Sequence, residues 1–327
     1  MSFLRPFGFC ALLVAALQGP PGSTAAATLP PLFLDCVVAL GHDEPIRGAD
    51  GIPVNPAQSG WFTEGTGYFY GHLVVDDPDA TKRKYQLFLV TARHVIFGHQ
   101  AVDPAWISVR LNPSQDGQQA DEFRLPIIPQ PGQNNWFFPD DPSVDLALVP
   151  INAEFLKSNG VRFQFFTEDT SAAEASKLRS LGAAAGDSIF VLGFPMNMTG
   201  KQRNYVIARQ GIIARIQELL DGHSNRMLID SFVFPGNSGG PVVLRPEIMS
   251  VQGTTPNNIA YLIGTVVDFV TYTDVAQSLQ THRPRITFEE NSGLAEVIPI
   301  DEVDKAIANW LRQHPLPSAT SSPSAAP

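Results

Sequence analysis

Cysteine is nearly missing from this chain: among 327 residues only Cys10 and Cys36 carry thiols. A disulfide framework is therefore excluded as the source of stability, which must come from a packed core. Charge is also sparse, at 17% of residues, with 22 basic against 32 acidic side chains and a formal net charge of −10. That balance argues against a nucleic-acid groove and against an anionic lipid surface. No apolar run reaches the ~18 residues that a spanning helix needs. The longest, Phe7 to Leu17, falls short. No Cys/His cluster has zinc-ligand spacing, His94 and His99 do not share a helical face, and Asp76, Asp77 and Asp79 lack the fuller ligand set of a calcium loop. No metal and no cofactor is expected.

What the chain has in abundance is glycine and proline, 26 and 28 residues, with 44% apolar side chains. Breakers at that density exclude long helical architectures, while the apolar content supplies a core. Arg5, the apolar run and the small residues Ser23-Thr24-Ala25-Ala26-Ala27 have the layout of a secretory signal. Residues 1–27 are therefore expected to be removed on export, giving a secreted or periplasmic product that leaves no membrane anchor behind. Cys36 then remains alone in the apolar stretch Phe33 to Leu40, where a buried inert thiol is expected.

Residues 28–60 read as an N-terminal extension. From Tyr68 onward short β-type runs alternate with turn residues: Tyr68 to Val75, Gln86 to Thr91, Trp106 to Leu111, Phe123 to Ile128 and Val144 to Val149. A second set follows Gly186-Asp187: Ser188 to Leu192, Tyr205 to Ile216, Met227 to Phe232, Pro241 to Leu244 and Tyr261 to Val267. Strands at this spacing predict barrels or sandwiches, here in two halves, residues 61–170 and 171–314. Ala172 to Leu181, rich in Ala, Glu and Lys, reads as a connecting helix or linker. Val303, Ile307, Trp310 and Leu311 recur at helical spacing behind Asp301 and Glu302, predicting a closing amphipathic helix. Residues 315–327 have too little apolar content to form a core and are expected to be disordered, with little room for a further module.

Three segments carry chemistry. In Gly236-Asn237-Ser238-Gly239-Gly240-Pro241 a serine sits among glycines, which let main-chain amides approach a substrate closely. Alone this could be a turn between strands. In Thr91-Ala92-Arg93-His94 a β run ends by delivering a histidine, the usual general base at neutral pH. In Asp145-Leu146-Ala147-Leu148 an aspartate stands at the mouth of an apolar strand, where its carboxylate needs strong hydrogen bonds.

In the order histidine, aspartate, serine, these segments resemble the trypsin-like, chymotrypsin-fold serine peptidases. Gly193-Phe194-Pro195 after Gly186-Asp187, Asp230 ahead of the serine, and Asn291-Ser292-Gly293-Leu294 before Ile298-Pro299-Ile300 are most similar to bacterial exported, HtrA-like members. The resemblance implies an all-β fold of two antiparallel six-stranded β-barrels with a C-terminal helix. It also implies a His94, Asp145, Ser238 triad, an oxyanion hole made by the backbone amides of Gly236 and Ser238, and a polypeptide substrate cleaved through an acyl-enzyme. Phe232, six residues before the serine, would lie at the base of the primary pocket, with Gly264 and Thr265 near the substrate backbone. A pocket without a carboxylate would not select Lys or Arg. Asn237 stands where many family members have an aspartate that pairs with a newly cut amine terminus. No basic cleavage site precedes an Ile-Val-Gly-Gly type start, so activity is expected after signal removal alone or after loop rearrangement.

Two rivals are open at this point. Gly236-Asn237-Ser238-Gly239-Gly240 satisfies G-x-S-x-G, which would make the chain an α/β-hydrolase-type esterase with Asp268 and His282 as partners. Gly239-Gly240-Pro241-Val242 reads as turn then strand, not as the helix such an elbow needs. The other rival is a peptidase fold kept as a catalytically silent binding protein with a collapsed oxyanion hole.

Overall fold

The computed structural model describes residues 28–46, 59–97, 105–129, 135–247 and 256–315, with short pieces at 2–3, 13–14, 52 and 54–55. Nearly all of the expected signal, residues 130–134 and the tail beyond 315 lie outside the described residues. Two-residue strands β1 (Ser2–Phe3) and β2 (Leu13–Val14) lie against the first sheet. That sheet is built from β3 (Val37–Pro45), β4 (Ser59–Val75), β5 (Lys84–Thr91), β6 (Trp106–Leu111), β7 (Asp121–Pro126) and β8 (Ala147–Ile151). Its antiparallel order is β7-β6-β3-β4-β5-β8, with β9 (Phe166–Thr167) parallel to β4. Among the described residues no ladder joins β7 to β8, so this unit is a half-barrel rather than the closed barrel expected.

Strand β3 falls in the segment read as an N-terminal extension, yet it is central, paired to both β4 and β6. Its run Val37-Val38-Ala39-Leu40 is buried, and Cys36 just before it is fully enclosed. Burial pushes the Cys36 thiol well above its ordinary pKa, which leaves it protonated and inert.

The second unit is a closed antiparallel barrel: β10 (Ser188–Gly193), β11 (Ile207–Arg215), β12 (Met227–Asp230), β15 (Pro284–Pro299), β14 (Tyr261–Gln277) and β13 (Pro241–Leu244), which returns to β10. Strands β14 and β15 run far beyond the barrel as a two-stranded ribbon, well past the Val267 limit expected from sequence. Between the units lie α2 (Ala153–Ser158) and α3 (Ala175–Leu181), the latter within the stretch read as a helix or linker. The short α1 (Arg93–Phe97) follows β5, and α4 (Gln217–Leu220) follows β11.

Helix α5 (Ile300–Gln313) closes the chain, burying Ile300, Val303, Ala306 and Ile307. Its Trp310 stacks on Phe137 at 5.4 Å and meets Phe88 edge-on at 5.6 Å, so a helix that leaves the second barrel is fastened to the first. One apolar cluster runs through the first sheet, α5 and second-barrel residues such as Leu192, Phe194, Leu262 and Ile298. The two units therefore share a core, and the seam between them is rigid enough to hold a site.

Candidate active site

Strand β5 ends at Thr91, and the first turn of α1 carries His94 directly after it. Asp145 sits in the loop just before β8, the strand that pairs with β5, so ladder register brings the two together. His94 Nδ1 donates to Asp145 Oδ2 at 2.6 Å, and the His94 backbone N–H donates to Oδ1 at 3.0 Å. The Asp145 main-chain carbonyl accepts the Arg93 N–H at 3.3 Å. One aspartate thus fixes both the ring and the backbone of His94. With Nδ1 engaged by Asp145, Nε2 is the ring nitrogen left available.

Burial raises the Asp145 pKa, but the hydrogen bond and charge of His94 together with the backbone N–H bonds outweigh it. The carboxyl lies below its ordinary value. Both side chains remain accessible, 42% for His94 and 27% for Asp145. They line a 430 Å³ cleft with Arg93 and Phe97. The guanidinium of Arg93 lies 4.9 Å over the Phe138 ring, which orders that wall. A larger hollow of 980 Å³ lies between α3, α4 and the start of α5 and contains none of the triad, oxyanion or pocket residues named from the sequence.

Ser238 approaches from the second unit. Its carbonyl accepts the Thr66 N–H at 2.8 Å, which ties it to β4 of the first sheet. The packing is too close for side chains at the flanking glycines. A Cβ on Gly65 would fall 2.5 Å from Val95 and 2.9 Å from the Ser238 carbonyl oxygen; one on Gly239 would fall 2.1 Å from the Thr66 carbonyl oxygen and 2.9 Å from the Ala92 nitrogen. Ser238 is therefore wedged against the segment that carries His94. The hydrogen bonds of His94 run to Asp145, and among the described residues none joins it to Ser238. The structure brings together the three segments, with the His94–Asp145 pair formed and the serine adjacent but not hydrogen-bonded to it.

The loop before the serine has every carbonyl accounted for. Pro235 O accepts the Met196 N–H at 2.8 Å, Gly236 O accepts the Thr66 hydroxyl at 2.6 Å, and Asn237 O accepts the Gly240 N–H at 2.8 Å. In a trans peptide the N–H points opposite to the carbonyl. The N–H groups of Gly236 and Ser238 are thus turned away from Met196 and Gly240 respectively. Gly236 has φ +96°, and a Cβ there would lie 2.4 Å from the Phe194 carbonyl oxygen, so only glycine fits. Asn237 is fully buried; its Oδ1 accepts the Phe234 N–H at 3.0 Å, while its Nδ2 has no hydrogen-bond partner. The amide holds the loop internally, without an ion pair.

The description "trypsin-like peptidase domain" belongs to a family whose profile matches residues 65–246. The chain belongs to that family. Its matched stretch runs from the glycine beside Val95, through the histidine and aspartate, to the strand after Ser238. Among solved structures, the chain is similar to the apo MamO protease domain from Magnetospirillum magneticum, with 14% identity, 84% of this chain and 96% of that one covered, and a TM-score of 0.38. It is also similar to the inactive form of the Rv3671c protease, with 16% identity, coverage of 85% and 89%, and a TM-score of 0.37. No curated protein matches the chain.

Within this trypsin-like domain the pocket residues fare unevenly. Phe232 is 52% exposed, and a Cβ on Gly293 would meet its ring at 3.5 Å, so it packs against the base of the β14–β15 ribbon rather than inside the barrel. Gly264 and Thr265 do not reach the cleft. Gly264 is paired to both Val242 and Pro299, and the buried Thr265 hydroxyl is hydrogen-bonded to Tyr68 at 2.8 Å. The edge of β14 is occupied there by β13 and, at Val266, by Gly239 and Gly240. The esterase reading fails on the fold, since Ser238 leads into β13 and not into a helix, and His282 stands in the turn of the ribbon with its N–H on Ser278 O. Thr66 and Met196, which hold the loop before Ser238, and Asn197, whose Oδ1 accepts the Thr63 N–H at 2.8 Å across the two units, were not legible in these roles. A Gly-Thr-Gly run is a weak signal, and Met196 and Asn197 reveal their place only through left-handed backbones, φ 53° and 59°.

Proposed function

We propose that the chain is an exported serine endopeptidase that cleaves polypeptides through His94, Asp145 and Ser238. The observation that carries this reading is the doubly hydrogen-bonded His94–Asp145 pair in an open cleft with Ser238 packed against the histidine segment. Ser238 Oγ attacks the peptide carbonyl carbon while His94 Nε2 takes its proton. Asp145 stabilises the imidazolium, which then protonates the leaving amine, and an acyl group remains on Ser238. A water molecule, deprotonated by His94, attacks the acyl carbon, and the proton returns to Ser238 as the acid leaves. The amides of Gly236 and Ser238 receive the negative oxygen in both halves of the reaction. No step calls for a cofactor, and the acidic chain is matched to neither nucleic acid nor membrane.

The half-exposed Phe232 ring and the absence of a carboxylate at that position favour small or apolar residues before the scissile bond. The expected sorting signal over residues 1–27 places the enzyme outside the cytoplasm, as a secreted or periplasmic protein. Turnover of an internally quenched peptide library tests the reading: wild type should cleave, and Ser238→Ala and His94→Ala should not. Cleavage that persists in Ser238→Ala refutes it. The absence of a hydrogen bond between Ser238 and His94 keeps a second reading in view, a silent peptide-binding protein; that reading predicts capture of library peptides with no cleavage by wild type. N-terminal sequencing of the exported product near Ala27 tests the localisation.

A further inference from the structure

Thr66 lies on β4, in the half-barrel opposite the serine, and is fully buried. All three of its polar atoms are engaged with the machinery of the cleft. Its N–H donates to Ser238 O at 2.8 Å, and its carbonyl accepts the Thr91 hydroxyl at 2.7 Å, three residues before His94. Its own hydroxyl donates to Gly236 O at 2.6 Å and accepts the Phe194 N–H at 3.1 Å. Two glycines make room for it: a Cβ on Gly193 would fall 2.7 Å from Thr66 Oγ1, and one on Gly239 would meet the Thr66 carbonyl.

We infer that the Thr66 hydroxyl is a positioning group that locks the oxyanion loop from the opposite half-barrel by fixing the peptide plane between the Gly236 and Ser238 amides. This rests on the hydrolase reading above and names the device on which its transition-state stabilisation depends. The plane between Gly236 and Asn237 links the two planes that carry the donors, so its orientation helps set how they stand relative to each other. Glycine at φ +96° offers little intrinsic resistance to that rotation. The flanking planes are held from within the second unit, by Met196 and Gly240, but the middle plane is held by Thr66. The same hydroxyl also grips Phe194, whose carbonyl leaves no room for a side chain at Gly236. Donors fixed before the reaction stabilise charge without reorganisation when it develops.

Thr66 touches neither the attacking atom nor the leaving group, so its effect should appear in the rate and not in ground-state binding. Thr66→Val keeps the shape and both main-chain bonds but puts a methyl group where the hydroxyl met Gly236 O. It should lower kcat by about 10- to 100-fold, a fraction of what loss of a whole oxyanion donor costs, with KM within about twofold of wild type. Affinity for a peptidyl aldehyde, whose hemiacetal oxygen occupies the hole, should fall by the same factor as kcat. Thr66→Ser restores the hydroxyl and should return kcat to within about threefold of wild type. Thermal melts confirm that each variant is folded. If Thr66→Val does not fold, Thr66→Ala provides the comparison without a methyl group pressed on Gly236 O. Wild-type kcat and aldehyde affinity in a folded variant that lacks the hydroxyl would overturn the inference, as would a loss confined to KM. A wild-type protein that turns over nothing would refute the hydrolase reading itself, and the positioning role with it.

Discussion

Asp145 shows how much one side chain can fix. Its two oxygens separately bond the ring and the backbone of His94, so the imidazole is held in orientation and in place by one carboxylate. Asp145→Asn offers an acceptor and a donor where two acceptors are needed, and the imidazole is driven towards the wrong tautomer. Peptide turnover should drop by about 10,000-fold with little change in melting temperature. Gly236→Ala meets the Phe194 carbonyl instead of open space and must distort the loop. A loss of about 100- to 1,000-fold in kcat is expected, comparable to loss of one oxyanion donor, and steady-state kinetics on the best library peptide would measure it. At this scale the sequence was informative where chemistry demands a rare residue type: a histidine after a β run, an aspartate before an apolar strand, a serine among glycines. It was silent on Thr66 and Asn197, whose contribution lies in hydrogen bonds across more than a hundred residues of chain. It also misplaced Gly264 and Thr265, because neighbouring strands occupy both edges of β14 at Gly264, and Thr265 turns its hydroxyl inward to Tyr68.

Among the elements, α5 combines an apolar stripe, legible from its helical spacing, with a buried acid that spacing could not flag. Asp304 accepts a hydrogen bond of 2.6 Å from the Tyr70 hydroxyl of β4, and its other oxygen is buried without a partner. Burial, reinforced by Glu168 and Glu174, pushes its pKa up to about 8, so the carboxyl is held as a neutral acid at neutral pH. In the unfolded chain the same group titrates near its ordinary value of 3.8. The folded state therefore binds this proton more tightly. Its stabilising effect is complete below the unfolded pKa and is lost as pH rises towards about 8. Urea denaturation of wild type should show less stability from this group at pH 8 than at pH 5, and Asp304→Asn should flatten that difference. An unchanged slope in the variant would show that α5 is not held this way. The β14–β15 ribbon was missed for a different reason. Thr271, Tyr272 and Thr273 favour strand, but nothing in the pattern shows that a pair of strands will leave its barrel. Half-buried periodicity gives no guide where neither face is covered.

At the scale of the molecule, the cleft exists only while the two units keep their relation. Besides the shared core and α5, a polar anchor joins them: Arg110 of β6 donates to the carbonyls of Gly200 and Lys201 at 3.1 and 3.3 Å. Asn204 Nδ2 donates to Arg110 O at 2.6 Å, and the Asn112 side chain holds the Asn204 main chain twice, its Nδ2 donating to Asn204 O at 2.9 Å and its Oδ1 accepting the Asn204 N–H at 2.8 Å. Arg110→Ala removes these bonds and strands the buried Asn204 Oδ1, which accepts from the guanidinium at 3.3 Å; it should cost about 1–3 kcal/mol in chemical denaturation, with lower activity even in the folded fraction. The two-unit all-β plan was readable because strand runs repeat on either side of Gly186-Asp187. The openness of the first sheet was not, since whether β7 meets β8, which no ladder shows among the described residues, depends on how the strands curl. The account turns on whether Ser238 is made nucleophilic by His94 across this junction. The most direct measurement is exposure of the full chain to a fluorophosphonate, followed by mass spectrometry of its peptides. One adduct on Ser238, lost in His94→Ala and retained in His282→Ala, is the predicted result; no adduct on Ser238 of the folded wild-type protein would contradict it.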